Sequence, residues 1–176
     1  FNNAFITDVQ EKVDLFNNYF VQQCTLLDGS CFPPFVLRTE KTPIDVPFDD
    51  SDILAIINNL KPDKAQGWDG ISIRMVQMYS DSIITPLSII FENCISQGIF
   101  PSVWKKVNVV PIYKKDNKTI HTNYRPISLI PIFGKDFERL IFTSLYSYLT
   151  SNKFITTKQS GFIKGDSTTN QLLYNN

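Results

Sequence analysis

The chain has 176 residues, 43% of them apolar and 13% aromatic, enough to bury one core and ordinary for a globular protein. Lys plus Arg and Asp plus Glu both total 17, which excludes a diffuse basic surface, yet residues 1–56 hold three bases and nine acids while the remainder holds fourteen and eight. No apolar run reaches the ~18 residues of a membrane span, and no charged start with a short apolar stretch suggests a signal peptide.

The first element the sequence predicts is a short amphipathic helix from about Asp8 to Gln23, with Val13, Phe16, Phe20 and Val21 at helical spacing. From Asp28 to Pro47 there is no sustained period, and Gly29, Pro33, Pro34, Pro43 and Pro47 mark a linker or extended arm. Residues 1–47 are therefore expected to form an N-terminal helix and linker, with one domain in 48–176.

That domain opens on Asp49 or Asp50, either able to cap a helix with Ile53, Ile56, Ile57 and Leu60 on one face; Pro62, Gly67 and Gly70 end it. Ser72 caps a second short helix through Tyr79. Asp81 or Ser82 begins a third, with Ile84, Leu87, Phe91, Cys94 and Ile95 on one face and Pro86 in its first turn. Val107 to Tyr113 is β-branched and apolar, Asp116-Asn117-Lys118 forms a turn, and Arg125 to Ile130 is apolar again, which predicts an antiparallel β-hairpin. Pro131 suits the first turn of a long helix with Phe133, Phe137, Leu140, Ile141, Leu145 and Tyr148 as its buried stripe. Lys135, Asp136, Glu138 and Arg139 read as its solvated face. The fold class is α+β, mostly helical with a single hairpin.

Charge concentrates at the hairpin. Between Trp104 and Arg125 there are six Lys or Arg and one acid, Asp116, a local footprint for phosphate binding. Residues that flank a hairpin loop face each other at roughly 5 Å between Cβ atoms, so Lys114 or Lys115 can converge with Arg125 on one anion. Asp69, between Gly67 and Gly70, reads as a turn former. Trp68 and Trp104 are core or packing residues by preference; of the two, Trp104 beside Lys105 and Lys106 is the better candidate for stacking on a base. Gly161 to Thr168 lacks the Gly-Lys-Ser/Thr ending of a nucleotide-hydrolase loop. His121 has no catalytic partner near it in sequence and reads as a loop residue, and Asn117-Lys118-Thr119 as a chance glycosylation sequon. Cys24, Cys31, Cys94 and His121 match no zinc motif, and free thiols in an intracellular setting, nuclear or cytoplasmic, are the simpler account.

Five ordered stretches resemble reverse transcriptases of non-LTR retrotransposons, the jockey-like long interspersed elements. They are Leu60-Lys61-Pro62-Asp63-Lys64-Ala65-Gln66-Gly67-Trp68-Asp69-Gly70-Ile71; Gly98-Ile99-Phe100-Pro101 with Trp104-Lys105; Pro111-Ile112-Tyr113-Lys114-Lys115-Asp116; Tyr124-Arg125-Pro126-Ile127-Ser128-Leu129; and Gln159-Ser160-Gly161-Phe162 through Gly165, Ser167 and Thr168. Each is a weak pattern, but five in order over Leu60 to Thr168 are hard to obtain by chance.

The resemblance implies the fingers and the start of the palm of a right-hand polymerase, an RNA-directed DNA polymerase and hence a nucleotidyltransferase. Lys114 and Arg125 would hold the phosphates of an incoming deoxynucleoside triphosphate, with Lys115 the competing lysine. Lys105, Lys106 and Lys164 would follow the template phosphates, with Ser167 and Thr168 able to hydrogen-bond them, although a purely structural turn at Gly161 to Thr168 stays open. The expected partners are an RNA template and a DNA primer.

In the family the two magnesium ions sit on aspartates that follow the Gly-Phe segment, in a strand and in a Tyr-x-Asp-Asp turn. This chain ends at Asn176 before either, so no metal site, cofactor or catalytic residue is expected in it. Mg²⁺ is expected in the full-length enzyme, and the chain alone is expected to be inactive. Phe1 is not an initiator methionine, and the sequence reads as internal to something longer. The rival expectation is a non-catalytic nucleic-acid-binding or protein-interaction module derived from a decayed element.

Overall fold

The computed structural model describes residues 5–25, 46–156, 159–163, 165–167, 169, 170 and 172, and it is an α+β arrangement of α-helices with one two-stranded antiparallel sheet. Helix α1, Val9–Cys24, starts where the Asp8 carboxylate accepts a hydrogen bond from the Glu11 N–H at 2.9 Å. The expected stripe holds only in part. Phe20 is buried and Phe16 half-buried, but Val13 and Val21 face solvent, because α1 rests on one small aromatic patch and not on the core.

Helix α2, Asp50–Asn58, is started by a reciprocal cap: Asp49 accepts from Ser51 and Asp52 N–H groups, and Asp52 accepts from the Asp49 N–H. Those bonds hold the Asp49 carboxyl below the usual carboxylate range, the Ser51 hydroxyl contributing most. Helix α3, Ile73–Met78, is capped by Ser72 as expected. Helix α4, Ser80–Gln97, follows almost without a break from Tyr79, so it begins earlier than the sequence suggests. Pro86 consequently lies in the helix interior and not in the first turn. It sits on the exposed face, where water can reach the Ser82 carbonyl that it cannot bond. Gly98 ends α4 in the left-handed conformation, φ 63°, with its N–H on the Cys94 and Ile95 carbonyls.

Helix α5, Ile132–Ser151, closes the core. Ile53 and Ile57 of α2, Ile73 and Val76 of α3, Ile84, Leu87, Phe91 and Cys94 of α4, and Ile132, Phe137 and Leu140 of α5 pack into one cluster. Phe91 is its centre, fully buried, with the rings of Phe48, Trp104 and Phe137 at centroid distances of 6.4, 5.9 and 5.0 Å. Burial of a side chain of this size contributes roughly 1.5–3 kcal/mol relative to exposure.

Two expectations for α5 fail. Leu145 is exposed because α5 runs on past the core, whose last buried member on this helix is Leu140, and Ile132 and Gly134 join the buried face at the helix start, which Pro131 precedes as its cap. Asp136 does not lie on a solvated face at all. It is 1% exposed, flanked along the helix by buried Ile132 and Leu140, and neither carboxylate oxygen has a hydrogen-bond partner. Burial pushes its carboxyl up to about 7 against the opposing pull of Lys135 and Arg139.

The sheet is the predicted hairpin. Strand β1, Asn108–Tyr113, pairs with β2, Tyr124–Leu129, in a register that sets Pro111 against Pro126, Ile112 against Arg125 and Tyr113 against Tyr124. None of its residues is buried.

Candidate nucleotide and nucleic-acid site

The ladder runs one bond past the last paired residues, with the Lys114 N–H on the Asn123 carbonyl at 2.9 Å. In an antiparallel pair, hydrogen-bonded and non-bonded pairs alternate, so Ile112 and Arg125 form a bonded pair while Pro111 and Pro126 face each other across a non-bonded one. The N–H groups that the prolines lack would point away from the partner strand. Neither outer edge is then well suited to take a further strand.

Directly opposed residues share a face, and faces alternate along each strand. Val110, Ile112 and Lys114 of one strand therefore lie on the same side as Arg125 and Ile127 of the other. Lys114 and Arg125 are diagonal neighbours, roughly 7–8 Å apart at most between their Cβ atoms, well within reach of a shared anion for two long side chains. Both are exposed, and neither pairs with an acidic group; among the described residues the one ion pair is Arg74 with Asp63 at 2.7 Å. The register thus brings Lys114 and Arg125 together. Lys115, exposed at the start of the turn, lies past the last ladder bond.

The opposite side of the hairpin is occupied at its tip. Tyr113 and Tyr124 pack ring to ring at 5.7 Å, Phe16 of α1 meets Tyr124 at 5.0 Å, and Tyr19 of α1 meets His121 at 5.0 Å, both edge to face. His121 opens a short 3-10 turn, His121–Asn123, between the strands, and it has a packing role. The Lys118 ammonium lies 5.3 Å from the Tyr113 ring centroid, so this lysine is drawn to the aromatic side.

The loop between the strands is held from within. Asn117 Oδ1 accepts from the Thr119 N–H and hydroxyl, Asn123 Nδ2 donates to the Asn117 carbonyl, and the Tyr124 hydroxyl donates to the Lys118 carbonyl at 2.8 Å. Asp116 takes up φ 71°, and the Tyr113 hydroxyl donates to its carbonyl. The loop that presents the cations is built, not slack.

A second basic position lies at the base of the hairpin. Pro101 leads into a 3-10 turn, Ser102–Lys105, and Lys105 and Lys106, both exposed, lead from it into β1. Trp104 is turned inward among Phe91, Phe100 and Phe137, all at about 5.9 Å. The indole that faces solvent is Trp68, 43% exposed, with its Nε1–H on the Val103 carbonyl at 3.1 Å and the Lys106 ammonium 5.3 Å from its ring centroid. The order of preference between the two tryptophans is therefore reversed: the aromatic cluster around Phe91 claims the one nearer the lysines in sequence.

Asp69 is the turn former expected, accepting from the Ile71 N–H at 3.2 Å, with Gly70 at φ 70°. Gly67 permits a close approach to α5, for a Cβ there would lie 2.8 Å from the Pro131 backbone.

Lys164 and Thr168 lie outside the described residues. Ser167 is exposed, and its hydroxyl accepts from the Asn170 N–H at 3.3 Å, leaving its proton available for donation. Beside it the Asp166 carboxyl is held below the usual range by the Ser160 hydroxyl, the Ser167 N–H and the Asn170 side chain. Among the described residues no group of three His, Cys, Asp or Glu side chains lies together. No described helix is long and apolar enough to cross a membrane.

No family model matches the chain. It is 30% identical over 172 residues, 92% of its own length and 19% of the relative's, to the RNA-directed DNA polymerase from mobile element jockey of Drosophila melanogaster. It is 28% identical over 174 residues to the protein of the same name from Drosophila funebris, and 26% identical over 171 residues to the probable RNA-directed DNA polymerase from transposon BS of Drosophila melanogaster, again covering 19% and 18% of the relatives. The chain spans about a fifth of the length of these curated relatives. Over nearly its whole length it is homologous to one segment of the RNA-directed DNA polymerases of non-LTR retrotransposons.

Proposed function

We propose that this segment serves an RNA-directed DNA polymerase of a mobile element as its fingers and the approach to its palm, holding the incoming nucleotide and guiding the template. Homology along nearly the whole chain supports the polymerase. The cross-strand register supports the nucleotide contact, since it leaves Lys114 and Arg125 exposed on one open face of a hairpin whose loop is held in shape. Arg125 presents a planar fork to phosphate oxygens and Lys114 a movable point charge, a combination suited to a triphosphate. Lys115, next in the chain, is the competing lysine.

Lys105 and Lys106, with Lys164, Ser167 and Thr168, would contact phosphates of the RNA template or the DNA primer, giving sequence-tolerant and salt-sensitive binding. Mg²⁺ would be required in the full-length polymerase. When bound, it supplies charge neutralisation at the reacting phosphates. The part of this chain is to bind and orient.

The test is Arg125→Ala in the full-length polymerase, read as separate affinities for deoxynucleoside triphosphate and for template-primer. Charge-assisted hydrogen bonds are worth roughly 1.5–3 kcal/mol each, so nucleotide binding should weaken about 10- to 100-fold with template-primer binding little changed. Equal losses in both affinities would sink the assignment.

A further inference from the structure

The turn Gly67 to Gly70 has no place in the nucleotide contact, yet it displays the one indole of the molecule that faces solvent. Its ends are fixed. The backbone at Gly67 abuts Pro131, Gly70 closes the turn with its N–H on the Gly67 carbonyl at 3.3 Å, and the Trp68 Nε1–H is tied to the Val103 carbonyl. An exposed tryptophan costs apolar contact with water, and the usual relief is to fold its ring into a core. The neighbouring Trp104 does this, whereas Trp68 stays 43% exposed with the Lys106 ammonium over its ring.

We infer that the exposed part of the Trp68 ring, with the Lys106 ammonium over the indole and Lys105 next to it in the chain, is a stacking platform for an unpaired base of a single-stranded nucleic acid. The ring is held before any ligand arrives, so little rotamer freedom is lost on binding. An exposed indole accepts any base, and the Lys106 ammonium, now over the ring, is free to swing to the phosphate that follows. A paired duplex keeps its bases stacked inside and offers none to such a ring, which selects the single strand. The platform stands at the base of the hairpin. Lys114 and Arg125 stand toward its tip, along a six-residue strand that spans about 17–20 Å. It is therefore distinct from the triphosphate contact. Only the choice of RNA template as the natural strand rests on the polymerase reading.

The experiment measures binding of the whole chain to labelled oligouridylate and to an abasic ribose-phosphate oligomer of equal length and charge, across a salt series, by fluorescence anisotropy. The native chain should bind oligouridylate roughly 5- to 100-fold tighter than the abasic oligomer. Trp68→Ala should erase that difference, and Trp68→Phe, which keeps a ring, should retain part of it. Lys105→Ala/Lys106→Ala should weaken both oligomers and flatten the salt dependence. A base preference that survives in Trp68→Ala places the stacking elsewhere and overturns the platform. Salt-sensitive binding with no base preference in the native chain also overturns it, while leaving the phosphate contacts standing. No binding of either oligomer by the native chain removes both. Should Trp68→Ala fail to fold, quenching of tryptophan fluorescence by oligouridylate in the native chain, absent in Trp68→Phe, decides the matter; equal quenching in the two would overturn the platform.

Discussion

The helical core and the hairpin obey different rules. In the core every element is fixed by apolar packing around Phe91, and the exposed surface of α2 to α5 is secondary. In the hairpin no residue is buried, and its shape depends on backbone pairing, on side chains that bond loop carbonyls, and on two aromatic contacts from α1. A two-stranded ribbon by itself is marginal in water. The division has a functional sense, since a packed body can hold steady a protrusion whose own face must stay open to a ligand.

The comparison is broken most directly at its centre. Phe91→Ala removes a fully buried ring that three other aromatic side chains touch, and the core cannot collapse into the space without moving α2 and α5. Loss of about 3–5 kcal/mol of unfolding free energy is expected in urea denaturation. A cost below about 1 kcal/mol would mean that the core does not have Phe91 as its keystone.

Asp136 behaves differently, as the one buried carboxyl among the described residues. Its carboxyl, at about 7 in the folded chain against 3.8 when unperturbed, stays protonated in the folded state while the unfolded chain ionises. The unfolded state then binds fewer protons, so stability must fall as pH rises from about 4 to about 7 and level off above that. The shift corresponds to roughly 4 kcal/mol. Asp136→Asn should flatten this pH dependence, and Asp136→Leu should in addition raise stability at neutral pH, because no hydrogen bond is lost with the carboxylate. A stability curve that is unchanged from pH 4 to 7 by either substitution would show that water or a rearranged partner reaches the group.

Much of this organisation is legible from residue order. The caps at Asp8, Asp49 and Ser72, the Gly98 stop and both strands follow from local chemistry, which acts within a few residues and leaves its mark in sequence. What eluded the sequence depended on contacts between distant elements. The charge pattern Lys135, Asp136, Glu138, Arg139 looks solvated until α5 is rotated by its packing, and the only signal against it was the spacing of Asp136 from Ile132 and Leu140. Both tryptophans read first as packing residues, with Trp104 the better stacking candidate because Lys105 and Lys106 adjoin it, yet adjacency in sequence says nothing of which ring Phe100 and Phe137 will claim. At the candidate site the residue types were readable, and the face was not. Placing Lys114 on the face of Arg125 needs the register, and the register is set by pairing across the loop.

The smallest expected effect lies where α1 meets the hairpin. Phe16 and Tyr124 are in edge-to-face contact, and such pairs contribute roughly 0.5–1.5 kcal/mol beyond their buried area. In a double-mutant cycle of Phe16→Ala and Tyr124→Ala, a coupling of that size measured by urea denaturation is expected. The more telling readout is local, because the hairpin adds little to the stability of the core. Amide exchange at Lys114 and within β2 should quicken in Phe16→Ala while exchange at Phe91 and Leu140 stays unchanged. If exchange quickens equally in both regions, α1 supports the whole body and the hairpin is not the separately held element that its exposure indicates. If only the hairpin responds, then α1, though far off in sequence, acts as a brace that steadies the face carrying Lys114 and Arg125 by covering the opposite one.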